Sequence, residues 1–260
     1  MGAFINCAVE MEMSETQVVG KSKIVLLDHF YNNEWKKDAN GTTVNWHYTW
    51  DDKSNGGFAM LGDMFNRYGV KTKSLAAFPT AQALKQAGIY IIVDPDTEKE
   101  SEKPNYISAK EIATIGEWVK AGGVLVLMGN DTGNAEFKNF NNLSTTFGIQ
   151  FNEDSRNRVQ GSQFEQGSVI TPGEHSIFGS SKKLYIKEYS SLQVKSPAVA
   201  VLKKGDDNVM AVAKYGKGTV FAIGDPWIYN EYLDGRKLPA DFENYKAAEA
   251  WINWLIKQSH

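Results

Sequence analysis

Acid and amide side chains recur at one kind of place in this sequence: directly after a run of aliphatic residues. Asp28 follows Lys23-Ile24-Val25-Leu26-Leu27, and Asp94 follows Ile89-Tyr90-Ile91-Ile92-Val93. Asn130 and Asp131 follow Val124-Leu125-Val126-Leu127-Met128-Gly129, and Asp225 follows Val220-Phe221-Ala222-Ile223-Gly224. His29, Asp96, Trp227 and Glu231 lie close behind the same run ends. Carboxylates and amides around one crevice can hydrogen-bond the hydroxyls of a ligand, and a carboxyl with a partner base can move a proton. The competing use is local, because Asp and Asn at strand ends also cap helices and close turns. Each residue alone favours that plainer use. The set favours a site, because four runs converge on it.

His29 and His47 are two of the four histidines, and both fall in or beside the polar segment after the first run. Either one with Asp225 makes an acid–base constellation if the fold brings the groups within a few ångströms of each other. With Asp28, Asp51 and Asp52 they can also be imagined around a metal. No H-E-x-x-H or other fixed ligand spacing supports that, so neither metal nor cofactor is expected. The densest aromatic and polar segment is Asn45-Trp46-His47-Tyr48-Thr49-Trp50-Asp51-Asp52, and residues 224–231 form a second. Trp46 and Trp227 are candidates to stack on the apolar face of a sugar ring, with Asp28, His47, Asn130 and Asp225 on its hydroxyls. Alternatively, the tryptophans pin their own loops to the domain. Asp94, Asp131 and Glu231 complete the candidate ligand-binding set. Asp94-Pro95-Asp96 with Glu98, Glu100 and Glu102 reads as a solvated acidic loop before it reads as a calcium site. Gly129-Asn130-Asp131-Thr132-Gly133 lacks both the P-loop and the dinucleotide pattern, and no G-x-S-x-G elbow is present.

Such residues need a scaffold to bring them together. Aliphatic runs without polar alternation suit strands buried on both faces of a parallel sheet. Helical spacing follows Gly56-Gly57, in Phe58, Leu61, Met64, Phe65 and Tyr68, and ends at Gly69. A short helix is expected over 79–86. Ser108 and Glu111 form a capping box that opens a helix with Ile112, Ile115, Trp118 and Val119 inward. Further helices are expected over 134–147 and 241–258. Residues 29–55 read as a long functional loop. Residues 148–197 read as a β-rich insertion of small antiparallel strands at one edge. Residues 198–203 and 209–214 read as a hairpin. The alternation predicts a three-layer, doubly wound α/β domain with a mostly parallel sheet, and ligands outside the carboxyl ends of its strands.

Net charge is −3 without a basic block, which argues against a nucleic-acid partner. No apolar stretch reaches the length of a membrane span, so no membrane partner is expected. Cys7 is the single cysteine, which excludes an intramolecular disulfide and a cysteine-rich metal site. Residues 1–13 lack a positive leader and carry Glu10 and Glu12, so they read as a short helix rather than a signal peptide. Residues 1–20 are expected to be that helix and a linker, the end of a preceding domain. Residues 21–260 are expected to be the α/β domain.

Residues 23–35, Asn55-Gly56-Gly57-Phe58, Gly122-Gly123-Val124-Leu125-Val126-Leu127, and the run from Gly216-Lys217-Gly218 to Gly224-Asp225 together resemble the class I glutamine amidotransferase-like superfamily. The likeness spans about residues 21–257 and is nearest to the divergent branch without amidotransferase activity. It implies a flavodoxin-like fold. In members that hydrolyse glutamine, a cysteine nucleophile follows the strand corresponding to 124–128, and a histidine follows a late strand. Here those places hold Asn130 and Asp131, and Asp225, so chemistry through a thioester is not expected. Met1-Gly2-Ala3-Phe4-Ile5-Asn6-Cys7-Ala8-Val9-Glu10-Met11 resembles the last helix of the α/α-barrel unsaturated rhamnogalacturonyl hydrolases (glycoside hydrolase family 105). Some bacterial members carry an amidotransferase-like domain after that helix. This second resemblance implies an accessory, non-catalytic domain in pectin degradation, binding a pectic oligosaccharide or packing on an upstream catalytic domain. By analogy its location is periplasmic or extracellular. The alternatives are a glycan-acting hydrolase with an Asp/His pair at the strand ends, or a module that drives oligomerisation.

Overall fold

The computed structural model describes residues 23–259; the helix and linker expected over 1–20 lie outside them. In chain order the first elements are β1 (Ile24–Asp28), β2 (Glu34–Lys37), β3 (Thr43–Trp46), α1 (Ala59–Arg67), β4 (Lys71–Leu75), α2 (Ala81–Leu84) and β5 (Ile89–Val93). Next come α3 (Ala109–Lys120), β6 (Val124–Met128), α4 (Phe137–Ser144), β7 (Ile149–Phe151), β8 (Ser168–Ile170) and β9 (Lys183–Tyr185). The last are β10 (Leu192–Val194), β11 (Ala198–Lys204), β12 (Asp207–Tyr215), β13 (Gly218–Ile223), α5 (Asn230–Leu233) and α6 (Asn244–Gln258).

The fold is mixed α/β around one large, mostly parallel sheet. Strands lie in the order β4-β1-β5-β6-β13-β12-β10-β7, with β11 also paired to β12. The first five are parallel neighbours. From β12 outward the pairing is antiparallel. Alternate residues of the buried strands feed two apolar layers. Val25, Leu27, Ile91, Val93 and Val126 pack with Leu61, Met64 and Phe65 of α1 and Trp251, Ile252 and Leu255 of α6. Leu26, Tyr90, Ile92, Leu125 and Leu127 pack with Ile115 and Val119 of α3 and Phe140 and Leu143 of α4. Helices therefore cover both faces, which explains why β5, β6 and β13 carry no polar alternation.

Register sets the site. Val93 pairs with Met128, and Met128 with Ile223. The amides of Asp94 and Gly129 continue the ladder to Met128 O and Ile223 O, each at 2.9 Å. The carboxyl ends of the three strands are thus level.

Local signals account for most boundaries. The Glu111 carboxylate accepts from the Ser108 amide at 2.9 Å, the returning half of the expected capping box. The Thr80 hydroxyl caps α2 through the Ala83 amide at 3.1 Å. Three differences from expectation have physical causes. Residues 29–55 are not one loop, because β2 and β3 form a hairpin within them. Asp38 closes its turn by accepting from the amides of Asn40 and Thr42, and Gly41 supplies the left-handed residue at φ 80°. The helix expected over 134–147 is shorter, because the Glu136 carboxylate accepts from the Asn139 amide and fixes its start. The last helix starts at Asn244, whose side-chain amide brackets the Tyr185 backbone at 2.8 and 3.0 Å. Within 148–197, β7 and β10 extend the main sheet at its far edge, while β8 and β9 form a separate ladder.

Candidate functional site

A cleft of about 370 Å³ opens above the level ends of β5, β6 and β13. From the expected set, His47, Asp94, Asn130, Asp131, Asp225 and Glu231 line it. Tyr48, Glu100, Lys187, Glu188, Tyr229 and Lys237 are further lining residues.

Asp94 is the floor. It directly follows β5 with φ 44°, a left-handed conformation that costs a residue with a side chain roughly 1–3 kcal/mol. His47, Tyr48 and Glu188 also have positive φ. Strained backbone at four lining positions persists only where surrounding contacts enforce it. Asp94 Oδ2 accepts from the Tyr48 hydroxyl at 2.8 Å and from the Asn130 side-chain amide at 2.9 Å. Its Oδ1 is buried without a partner. The hydroxyls of Tyr48 and Tyr229 lie 3.2 Å apart. Since Tyr48 spends its proton on Asp94, Tyr229 must donate to Tyr48.

Asp225 sits almost fully buried at the end of β13, and its Oδ2 also lacks a partner. Burial drives the Asp94 and Asp225 carboxyls well above the usual carboxylate range, and drives the Tyr229 phenol up as well. Both acids therefore hold their protons more tightly than an exposed carboxyl does.

His47 is held from two sides. Its Nδ1 lies 3.0 Å from Glu34 Oε1, and its ring stacks on Trp46 at 4.6 Å and on Tyr48 at 3.9 Å. Its Nε2 makes no hydrogen bond among the described residues. A Cβ on Gly56 would come within 2.9 Å of the imidazole, so glycine there lets the ring lie flat on the backbone. A carboxylate on Nδ1 and a free Nε2 is the arrangement of an oriented general base.

Five expected residues lie elsewhere, among them Asp96, whose carboxylate accepts from the Asn33 amide at 2.9 Å. Asp28 is spent locally: Oδ1 accepts from the amides of Phe30 and Tyr31 at 3.0 and 2.6 Å, and Oδ2 from the Tyr90 hydroxyl at 2.6 Å. It closes the turn after β1 and does not line the cleft. Trp227 has no exposed surface and meets Phe178 edge-on inside the core, so it offers no face for stacking. Trp46 is half-buried, with its ring against His47 and the Lys36 ammonium 4.7 Å from its centroid. It supports His47 rather than lining the cleft. The His29 backbone bonds Leu75 O at the end of β4, and its ring is not among the lining groups. Of the two histidines, His47 is the one that shares a cleft with Asp225. Glu34 escaped the sequence reading because only the β2–β3 register, which sets it opposite Trp46, brings it to His47. Among the described residues, no group of three or more His, Cys, Asp or Glu side chains is placed to hold a metal ion. No helix among them is long and apolar enough to cross a membrane.

No family model and no curated protein matches the chain by sequence. Solved structures do match in fold. The mmIFT52 N-terminal domain superposes with a TM-score of 0.67 at 21% identity, over 90% of this chain and 97% of that one. Cytoplasmic Protein STM1381 from Salmonella typhimurium LT2 superposes at 0.59 and 19% identity, over 92% and 100%. Cytoplasmic Protein STM3548 from Salmonella typhimurium follows at 0.57 and 17%, over 90% and 97%. These likenesses run nearly the full length of each chain and establish a shared fold.

Proposed function

We propose that this chain is a divergent, flavodoxin-like domain of the glutamine amidotransferase-like type whose strand-end cleft binds a hydroxylated ligand, a sugar, without hydrolysing glutamine. Counted along the chain, the five parallel strands have the order 2-1-3-4-5, which supports the topology. Asn130, Asp131 and Asp225 occupy the positions where the resemblance would require a cysteine and a histidine.

The observation that carries the sugar reading is the pair of unpartnered oxygens, Asp94 Oδ1 and Asp225 Oδ2, at one polar cleft. A buried polar atom without a partner costs about 1–3 kcal/mol, and a ligand hydroxyl would supply the missing bond. The resemblance over residues 1–11 supports an accessory role beside an upstream rhamnogalacturonan-degrading barrel, and a periplasmic or extracellular place. Calorimetric titration of the chain with rhamnogalacturonan-derived sugars tests this. Saturable binding that Asn130→Ala weakens at least ten-fold is expected. Absence of heat with every sugar would refute it.

The Glu34–His47 contact favours a second reading, hydrolysis of a glycan with His47 as base and a buried acid as proton donor. Release of reducing ends that His47→Ala abolishes would establish it.

A further inference from the structure

Hydrogen-bond directions and charge pairing in the cleft decide what kind of sugar it accepts. Asp94 Oδ2 already receives two donors, so a proton on this carboxyl sits on the unpartnered Oδ1. Held there, it makes Asp94 a hydrogen-bond donor toward an uncharged oxygen. The raised affinity of Asp94 and Asp225 for protons agrees with this placement.

The cations of the rim are already engaged. Lys187 Nζ pairs with Glu188 at 2.6 Å, and Lys237 Nζ with Glu231 at 2.8 Å. Glu100 and Asp131 face the same space without an ion-pair partner among the described residues. No arginine is among the lining residues. Carboxylate ligands are usually gripped by an arginine fork or an uncommitted lysine, and this cleft offers neither.

We infer that the cleft selects neutral sugar units and rejects uronates, with the buried, unpartnered oxygens of Asp94 and Asp225 taking hydroxyls and Glu100 and Asp131, which have no ion-pair partner among the described residues, repelling a ligand carboxylate. The inference rests on the sugar reading above. On a polymer that alternates neutral and acidic units, the domain would hold the neutral ones.

The matched probes are methyl galactoside and methyl galacturonide, which differ only in CH2OH against carboxylate at C6. Calorimetry or ligand-observed NMR on the full chain at pH 7 should show the galactoside binding on the order of ten-fold tighter, from two like charges within a Debye length. Glu100→Gln, confirmed folded by circular dichroism, should narrow that gap roughly three-fold by improving the galacturonide alone. Raising salt to about 0.5 M should narrow it in the unaltered protein. Equal or tighter binding of the galacturonide, or a gap insensitive to both salt and Glu100→Gln, overturns the selectivity and leaves the sugar site standing. Silence from both probes and from methyl rhamnoside overturns the sugar reading and the selectivity with it.

Discussion

Asp28→Asn tests how dry the packing is around the carboxyl end of β1. The Asp28 carboxyl is fully buried. Burial outweighs the hydrogen bonds from Tyr90, Tyr31 and Phe30, so its pKa rises from 3.8 to about 6. The folded protein therefore holds this proton more tightly than the unfolded chain does. The stability it contributes is complete below about pH 4, declines as the pH rises through about 6, and is flat beyond that. At about 1.4 kcal/mol per pH unit, the rise from 3.8 to about 6 corresponds to ~3 kcal/mol. Asparagine removes the titration and keeps the shape. Its oxygen can still accept from the Phe30 and Tyr31 amides, while the Tyr90 hydroxyl turns from donor to acceptor. Asp96, raised by burial to about 7, titrates in the same sense, so neither protein's own curve isolates the effect. The difference between them removes the shared titration, apart from the small part of the Asp96 rise that the Asp28 charge itself causes. Urea unfolding followed by tryptophan fluorescence should show the unfolding free energy of the wild type minus that of Asp28→Asn falling by about 2.4 kcal/mol between pH 4 and pH 7. Two curves that stay parallel across that range would mean that Asp28 is solvated in the folded state.

Tyr90→Phe removes the 2.6 Å donor to Asp28 Oδ2, a bond that holds the carboxyl down against burial. It should cost ~1.5–3 kcal/mol at pH 7, less at pH 4, and extend the pH-dependent decline above 6, in the same urea experiment. Gly57→Ala would place a Cβ 1.9 Å from the Asp52 carbonyl oxygen, a backbone collision that no side-chain rotation relieves. A loss of ~1–3 kcal/mol or more, read as a drop of several degrees in the thermal midpoint, is expected, and an unchanged midpoint would contradict the turn geometry.

How far the sequence determines its own reading varies by element. β1, β5, β6 and β13 were legible because a strand covered on both faces cannot carry polar residues, and few other elements of five residues show that composition. The β11–β12 hairpin was legible from its turn residues. The β2–β3 hairpin was not, although Asn40-Gly41 between two alternating runs is a turn signal. Its strands have exposed Trp35 and Lys37 beside buried Glu34, a pattern that inverts the usual apolar-in alternation. That inversion has a purpose in the fold, because it turns the Glu34 carboxylate inward to His47.

The strand-end acids show where composition stops and geometry begins. Asp28, Asp94 and Asp225 carry the same local signature, yet one is a turn residue and two face the cleft. The difference lies in the chain that follows. After Asp28 the amides of Phe30 and Tyr31 fold back and take up its carboxylate. Asp94 and Asp225 are each followed by a proline, Pro95 and Pro226. Proline fixes its own φ near −65° and has no amide to offer, and Asp94 itself turns left-handed at φ 44°, so the chain leaves β5 along a different path. Three of the next four amides then find main-chain partners instead, and Thr97 N goes to the Glu100 carboxylate. Asp96 N donates to Tyr31 O at 2.9 Å, Trp227 N to Asp225 O at 2.9 Å, and Ile228 N to Pro226 O at 2.7 Å. Denied a local donor, the Asp94 carboxyl draws on Tyr48 and Asn130 from neighbouring segments and still has one oxygen left over, while the Asp225 Oδ2 finds no partner at all. In this chain, Asp-Pro after a buried strand thus marks the two acids that line the cleft and sets them apart from the one spent on its own turn.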